Sequence, residues 1–206
     1  LQPGANGFVV YALLNGCLSA ASAPAQAQLD TVPSGVTAFA GDDFFACDAT
    51  PFNLSASTPS AGTGLWSLVG GPAVTIVNQP SPTSLVVGAV AGNAYRFEWA
   101  LSNGSCKNFS RDTVRVTVNA FEEAKVVNDL QVTCFSDTVQ LNALQGMSST
   151  GIWKQPPGQA LFQPPITFDN PAAPNTVVRN LPANANTFFF YWILKVPGCP
   201  ADTASV

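Results

Sequence analysis

The feature that most constrains this chain is that it repeats itself. Cys47-Asp48, with Phe52-Asn53-Leu54 behind it, returns as Cys134-Phe135 with Val139-Gln140-Leu141, and Thr63-Gly64-Leu65-Trp66 returns as Thr150-Gly151-Ile152-Trp153 at the same offset. Farther on, Pro82-Thr83-Ser84-Leu85-Val86 matches Pro174-Asn175-Thr176-Val177-Val178. Trp99 and Cys106 match Trp192 and Cys199, and Asp112-Thr113-Val114 matches Asp202-Thr203-Ala204. The later offsets drift slightly, as loop insertions between ordered landmarks produce. Self-similarity at this period marks one folding unit used repeatedly. A partial copy opens the chain. Tyr11-Ala12-Leu13-Leu14-Asn15-Gly16-Cys17 parallels the run from Trp99 to Cys106, and Ala25, Ala27 and Leu29 stand where Val114, Val116 and Val118 stand. The expected organisation is therefore the last two strands of a truncated repeat at 1–30, a full repeat at 31–119 and another at 120–206. Both ends read as cuts through a longer array.

Each full copy reads as short strands. Phe52, Leu54 and Ala56 alternate, as do Leu85 and Val87, the run Tyr95, Phe97, Trp99 and Leu101, and finally Val114, Val116 and Val118. A side-chain period of two over such runs is the signature of half-buried strands. Seventeen Pro and sixteen Gly supply turns between them, and Asn103-Gly104 is a strong hairpin signal. Charged residues make up only 10% of the chain and apolar residues 47%, which excludes disorder. About seven short strands per copy, with a Trp after the first third, is the pattern of an immunoglobulin-like sandwich. The fold class expected is all-β, in tandem immunoglobulin-like β-sandwich domains.

The five cysteines are read through the repeat. Cys47 is expected to pair with Cys106 and Cys134 with Cys199, one intradomain bridge each, leaving Cys17 without a partner. Each bridge would close a loop of about 60 residues, worth roughly 4 kcal/mol in the chain-entropy model, and would imply an oxidising, extracytoplasmic compartment. The alternative is a set of buried free thiols. A metal site is disfavoured, because the chain has no His and no C-x-x-C.

Taken in order, Cys47, Leu54-Ser55-Ala56, Gly62-Thr63-Gly64-Leu65-Trp66, Asn78-Gln79-Pro80, Tyr95-Arg96-Phe97-Glu98-Trp99 and Asn103-Gly104-Ser105-Cys106 resemble the PKD-like or REJ-like Ig repeats of Bacteroidetes giant surface proteins, including gliding and adhesion proteins. The resemblance covers nearly the whole chain. The second copy departs from it where Val196-Pro197-Gly198-Cys199 replaces the Asn-Gly hairpin and where residues 156–165 are Pro-rich. It implies an Ig-like fold, surface export, and a structural or adhesive role without catalytic residues or cofactor.

Chemistry is sparse elsewhere. Without His there is no Ser-His-Asp triad, and no pair among the twelve carboxylates is placed for acid–base work. Gly62-Thr63-Gly64 lacks the third glycine and the helix of a dinucleotide site, and reads as a turn before a core Trp. Asp42-Asp43 with Asp48, or Glu122-Glu123, could offer oxygen ligands to calcium, yet no D-x-D-x-D-G loop exists. A net charge of −4 argues against nucleic acid. No apolar run approaches the roughly 18 residues of a membrane span. Ala25-Gln26-Ala27 imitates a signal-peptide cleavage site, but no basic residue precedes the apolar stretch. Asp-Thr-aliphatic triplets place Thr31, Thr113, Thr138 and Thr203 in a pattern resembling a Bacteroidetes O-glycosylation sequon, with Thr113 and Thr203 leading.

One strand is apolar on both faces. Phe189, Tyr191 and Ile193 alternate with Phe188, Phe190, Trp192 and Leu194, and Phe8 and Val10 behave similarly in the opening fragment. A strand apolar on both faces is expected to be covered on both. The leading expectation is a structural segment of a long secreted surface adhesin or filament, whose partners are neighbouring repeats. The alternatives are a polysaccharide-binding module and a filament subunit that donates its N-terminal strands.

Overall fold

A computed structural model describes residues 2–127, 136–157, 164–182 and 187–206. The described residues form seventeen strands and no α-helix, so none is long and apolar enough to cross a membrane as a helix. In chain order these are β1 (Gly4–Phe8), β2 (Leu13–Leu14), β3 (Cys17–Leu18), β4 (Ala25–Leu29), β5 (Phe44–Cys47), β6 (Phe52–Ser55), β7 (Thr63–Gly70), β8 (Thr75–Ile76) and β9 (Thr83–Val87). They continue as β10 (Asn93–Asn103), β11 (Cys106–Asn119), β12 (Val139–Asn142), β13 (Thr150–Lys154), β14 (Thr167–Phe168), β15 (Asn175–Arg179), β16 (Tyr191–Lys195) and β17 (Asp202–Ser205).

The repeat is visible in the strand order. One sheet runs β5-β11-β10-β7 and another β6-β9-β8. The second copy repeats them as β13-β16-β17 and β12-β15-β14. Within both, hairpin-type antiparallel pairing dominates, while β5 runs parallel to the end of β11 from Phe44↔Val116 to Cys47↔Asn119. These are two-sheet sandwiches of immunoglobulin type.

The chain divides into two compact units. The first comprises Leu1–Asp43, Phe52–Val87 and Arg96–Arg115. The second comprises Phe44–Pro51, Gly88–Tyr95 and Val116–Val206. In the first, Phe52, Leu54, Trp66, Val86, Phe97, Trp99 and Leu101 are buried, as strand alternation requires. Trp66 and Trp99 face each other in register across β7 and β10, with ring centroids 5.1 Å apart. Phe52 meets Phe97 edge-on at 6.1 Å from the other sheet. In the second unit Trp153 and Trp192 repeat the pair at 5.2 Å, and Phe168 meets Phe190 edge-on at 5.7 Å. Leu141, Val178 and Leu194 complete that core.

The glycine of the repeated Gly-x-Trp step has a packing reason. A Cβ on Gly64 would fall inside the Trp99 ring, and one on Gly151 inside the Trp192 ring. The indole of the facing strand lies flat on bare backbone, which only Gly allows. Of the residues expected to form a turn before Trp66, Thr63 and Gly64 belong to strand β7 itself, while Gly62 (φ +83°) stands at the bend that leads into it.

One alternation differs from the expectation. Leu85 is 37% exposed, and the inward residues of β9 are Ser84 and Val86, not Leu85 and Val87. The buried Ser84 hydroxyl accepts from the Asn78 N–H at 3.0 Å, and the buried Thr176 hydroxyl accepts from Asn170 N–H at 3.1 Å in the second copy. A polar side chain stands in the core because it satisfies a backbone donor. Apolar patterning alone cannot find it. The recurrence of Asn followed six residues later by Ser or Thr can.

Candidate functional site

The cysteines are where structure and sequence expectation part. Cys47 is bonded to Cys199, with Cα atoms 4.7 Å apart and 152 residues of separation, while Cys106 and Cys17 are free. The expected Cys47–Cys106 bridge is therefore corrected. The expected Cys134–Cys199 bridge falls with it, since Cys199 is already engaged; Cys134 lies outside the described residues. The reason lies in where the strands end. Cys47 closes β5 directly opposite Asn119, the last residue of β11, whereas Cys106 begins β11 at its far end. A fourteen-residue strand rises by more than 3 Å per residue, far beyond the Cα separation a disulfide tolerates. The bridge therefore joins cysteines of successive sequence copies.

The hairpin that carries Cys199 is built to receive Cys47. Gly198 has φ +82°, and a Cβ there would collide with the backbone of Phe45. The Asn119 side-chain amide donates to the Pro197 carbonyl at 2.9 Å, and the Cys199 sulfur lies 3.9 Å from the Asn119 carbonyl oxygen. On the other side Asp48 (φ +50°) accepts from the Phe121 N–H at 2.8 Å while its own N–H donates to Asn119. A groove of about 430 Å³ beside the disulfide is lined by Ser148, Thr150, Lys195, Pro197 and Cys199 among others. Its one charged lining residue is Lys195, so it holds no acid–base pair.

In the first unit the corresponding hairpin, Asn103-Gly104-Ser105-Cys106, grips the chain at Asp30. The Ser105 N–H donates to the Asp30 carboxylate at 2.6 Å, the Asn103 amide to the Thr31 carbonyl at 2.9 Å and the Cys106 thiol to the Asp30 carbonyl at 3.5 Å. The Ser105 N–H, then the Gln28 side chain, hold the Asp30 carboxyl below its ordinary range. A carboxyl depressed in the folded state contributes stability above its unfolded value, and that contribution is lost as pH falls through the folded one. Thermal stability of the wild type is expected to fall relative to Asp30→Asn only below about pH 4. Equal acid sensitivity of both melts would show that the carboxylate clamp contributes nothing.

The threonines of the Asp-Thr pattern are placed as follows. Thr31, Thr113 and Thr203 are exposed and Thr138 is half-buried. The aspartates beside the two leading candidates hold backbone instead. Asp112 accepts from Ala40 N–H at 2.7 Å and Asp202 from Ala124 N–H at 2.8 Å. They pin the segment entering each copy to its last strand. Asp202→Ala is expected to cost about 1.5–3 kcal/mol, the range for a hydrogen bond to a charged group. Thr203→Ala should stay within about 0.5 kcal/mol, as exposed substitutions do. Urea denaturation of the two variants distinguishes them.

Of the expected packing surface, Phe8 is 46%, Val10 71% and Phe189 52% exposed, while Tyr191 and Ile193 are half-buried. Ile193 stands opposite Ile152 on one side and Thr203 on the other. Four of the five carboxylates that could have offered ligands to calcium, Asp43, Asp48, Glu122 and Glu123, hold other groups. Asp43 accepts from Arg115 N–H, Glu122 accepts from Ser148 N–H with Ser149 beside it, and Glu123 pairs with Lys125 at 3.0 Å. Among the described residues no three His, Cys, Asp or Glu converge.

No family profile matches the chain, and no curated protein matches it in sequence. Among solved structures it is similar to the three N-terminal domains of the highly immunogenic outer capsid protein (Hoc) of bacteriophage RB49, at 14% identity and TM-score 0.52, over 82% of this chain and 67% of that one. It is also similar to the PKD domain of the KIAA 1837 protein, at 24% identity and TM-score 0.36, over 44% of this chain and 92% of that one. A third is the PKD domain of human KIAA0319, at 21% identity and TM-score 0.34, over 45% and 94%. Identities this low speak to fold alone. The fold is that of tandem immunoglobulin-type β-sandwiches.

Proposed function

We propose that this chain is a structural repeat segment of a long secreted surface adhesin or extracellular filament, with repeats bounded near residues 30 and 119, and that it performs no catalysis. The observation that carries this reading is the Cys47–Cys199 bond, which joins cysteines of successive sequence copies within the second compact unit and closes a separation of 152 residues. A covalent closure of that span resists extension, which a shaft needs and a free-standing binding module does not. Its partners are neighbouring repeats. The polysaccharide-binding alternative loses support because Trp66, Trp99, Trp153 and Trp192 are each no more than 1% exposed, leaving no Trp platform for a sugar ring. O-glycosylation at Thr113 and Thr203 is compatible with their exposure on strands β11 and β17.

Strand donation is a second reading, on one observation. The ribbon of β1 with β4 and the hairpin of β2 with β3 leave Val10, Leu13, Leu14 and Leu18 between 69% and 74% exposed. An isolated two-stranded ribbon is marginal in water, so these strands call for a covering sheet.

Immunogold labelling of intact source cells with antibody to this chain tests the proposal. Label along extended extracellular filaments is expected. Label confined to permeabilised cells, or saturable binding of the chain to polysaccharide, would overturn it. Single-molecule stretching adds a mechanical prediction: reduction should release roughly 500 Å of contour at about 3.5 Å per residue, the slack otherwise locked behind the 152-residue span. An unchanged contour on reduction would remove the mechanical argument.

A further inference from the structure

We propose that Cys106 is itself a cross-linking site. It forms a disulfide with the cysteine that stands, in the repeat completed by residues 2–30, where Cys47 stands in the next. The inference rests on the repeat reading above and goes beyond it, because it makes the tie between copies a regular ladder rather than a single bond.

The argument is a comparison of two hairpins within one chain. Cys199 and Cys106 occupy the same place in their copies, each half-buried at the hairpin that ends the long Trp strand. Cys199 lies against the carbonyl of Asn119, and Cys106 against the carbonyl of Asp30. Asn119 and Asp30 are themselves equivalent: one ends β11 and the other follows β4, whose Ala25, Ala27 and Leu29 align with Val114, Val116 and Val118. Side-chain clamps hold the strand end in both places, Asn119 to the Pro197 carbonyl in one and Ser105 N–H to Asp30 in the other. The hairpin glycines are similarly committed: Gly198 is pressed on Phe45, and Gly104 on the Asp30 carboxylate.

At the second hairpin this geometry delivers the sulfur to Cys47, which ends β5 beside Asn119 on a parallel register. The first hairpin presents the Cys106 sulfur to the carbonyl of Asp30, the residue that follows β4, as Cys199 is presented to Asn119. A β5-type strand running parallel to β4 would bring its last residue level with Asp30, as Cys47 is level with Asn119. The ligand is therefore a cysteine thiol at the end of a β5-type strand. The bond formed is Sγ–Sγ. The two thiol protons and two electrons pass to a disulfide oxidant of the extracytoplasmic compartment, which leaves as a dithiol.

The test uses the protein isolated from its source without reductant. Free thiols are capped with N-ethylmaleimide, the chain is digested unreduced, and linked peptides are mapped by mass spectrometry. The Cys106 peptide is expected to be maleimide-free and joined to a β5-type cysteine peptide, with Cys199 joined to Cys47. The same linkage accompanied by a covalent ladder on non-reducing electrophoresis, collapsing on reduction to a single chain mass, would place the partner cysteine in another molecule and still support the site. Linkage without such a ladder would place it in the same polypeptide. Cys106 carrying maleimide while Cys47–Cys199 stays joined would overturn this inference and leave the tied-copy reading standing. Loss of the Cys47–Cys199 peptide as well, or Cys106 joined to Cys47, would overturn both.

Discussion

Cys199→Ser is expected to destabilise the second unit by several kcal/mol, and Cys47→Ser by the same amount. With 152 residues between the cysteines, the chain-entropy model gives about 5 kcal/mol as the upper end of the loss. The effect falls short of that to the extent that the unfolded reference retains structure between the two ends. Because the two sulfurs act only as a pair, the double substitution should cost no more than either single one. Reductant should reproduce the loss in the wild type and do nothing further to the variants. Guanidinium denaturation with and without reductant measures all of this. Unequal losses for the two singles, or a loss from Cys106→Ser that vanishes in the Cys47→Ser background, would restore the intracopy pairing expected from cysteine arithmetic.

Trp192→Ala is the second large effect. The side chain is fully buried, packs against Trp153 at a tilt of 48°, and donates its indole N–H to the Leu144 carbonyl at 3.2 Å. Truncation leaves a ring-sized cavity and an unpaired carbonyl, and is expected to cost about 3–5 kcal/mol. The facing glycine supplies the control. Gly151→Ala should cost about 1–3 kcal/mol or more by overpacking against the ring, because its Cβ would occupy the Trp192 indole. In the Trp192→Ala background that same substitution should cost little. A double-mutant cycle that came out additive would show that Gly151 is chosen for some reason other than the indole.

Much of this protein is legible in its residues alone. Period-two runs such as Tyr95, Phe97, Trp99 and Leu101 identify buried strand faces because successive side chains in a strand alternate sides. All four are no more than 1% exposed. The inward face of β9 escapes the same pattern because Ser84 is polar, and hydropathy cannot register a hydroxyl kept inside by a backbone partner. The Asp-Thr pairs read as modification signals, but the aspartates in two of them are strand-pairing groups. That role depends on Ala40 and Ala124, which lie far away in sequence.

The repeat, the all-β class and the Trp pair at the centre of each copy follow from local pattern, since side-chain alternation and turn residues act over a few positions. The cysteine pairing does not. Cys47 and Cys106 stand in one copy, and sequence proximity favours them. Yet β5 runs parallel to β11 and ends level with Asn119, so its cysteine emerges at the opposite end of that long strand from Cys106 and beside the hairpin of Cys199. Which sulfur a cysteine can reach is set by strand direction and by which end of a strand it occupies, and those are properties of the assembled sheet.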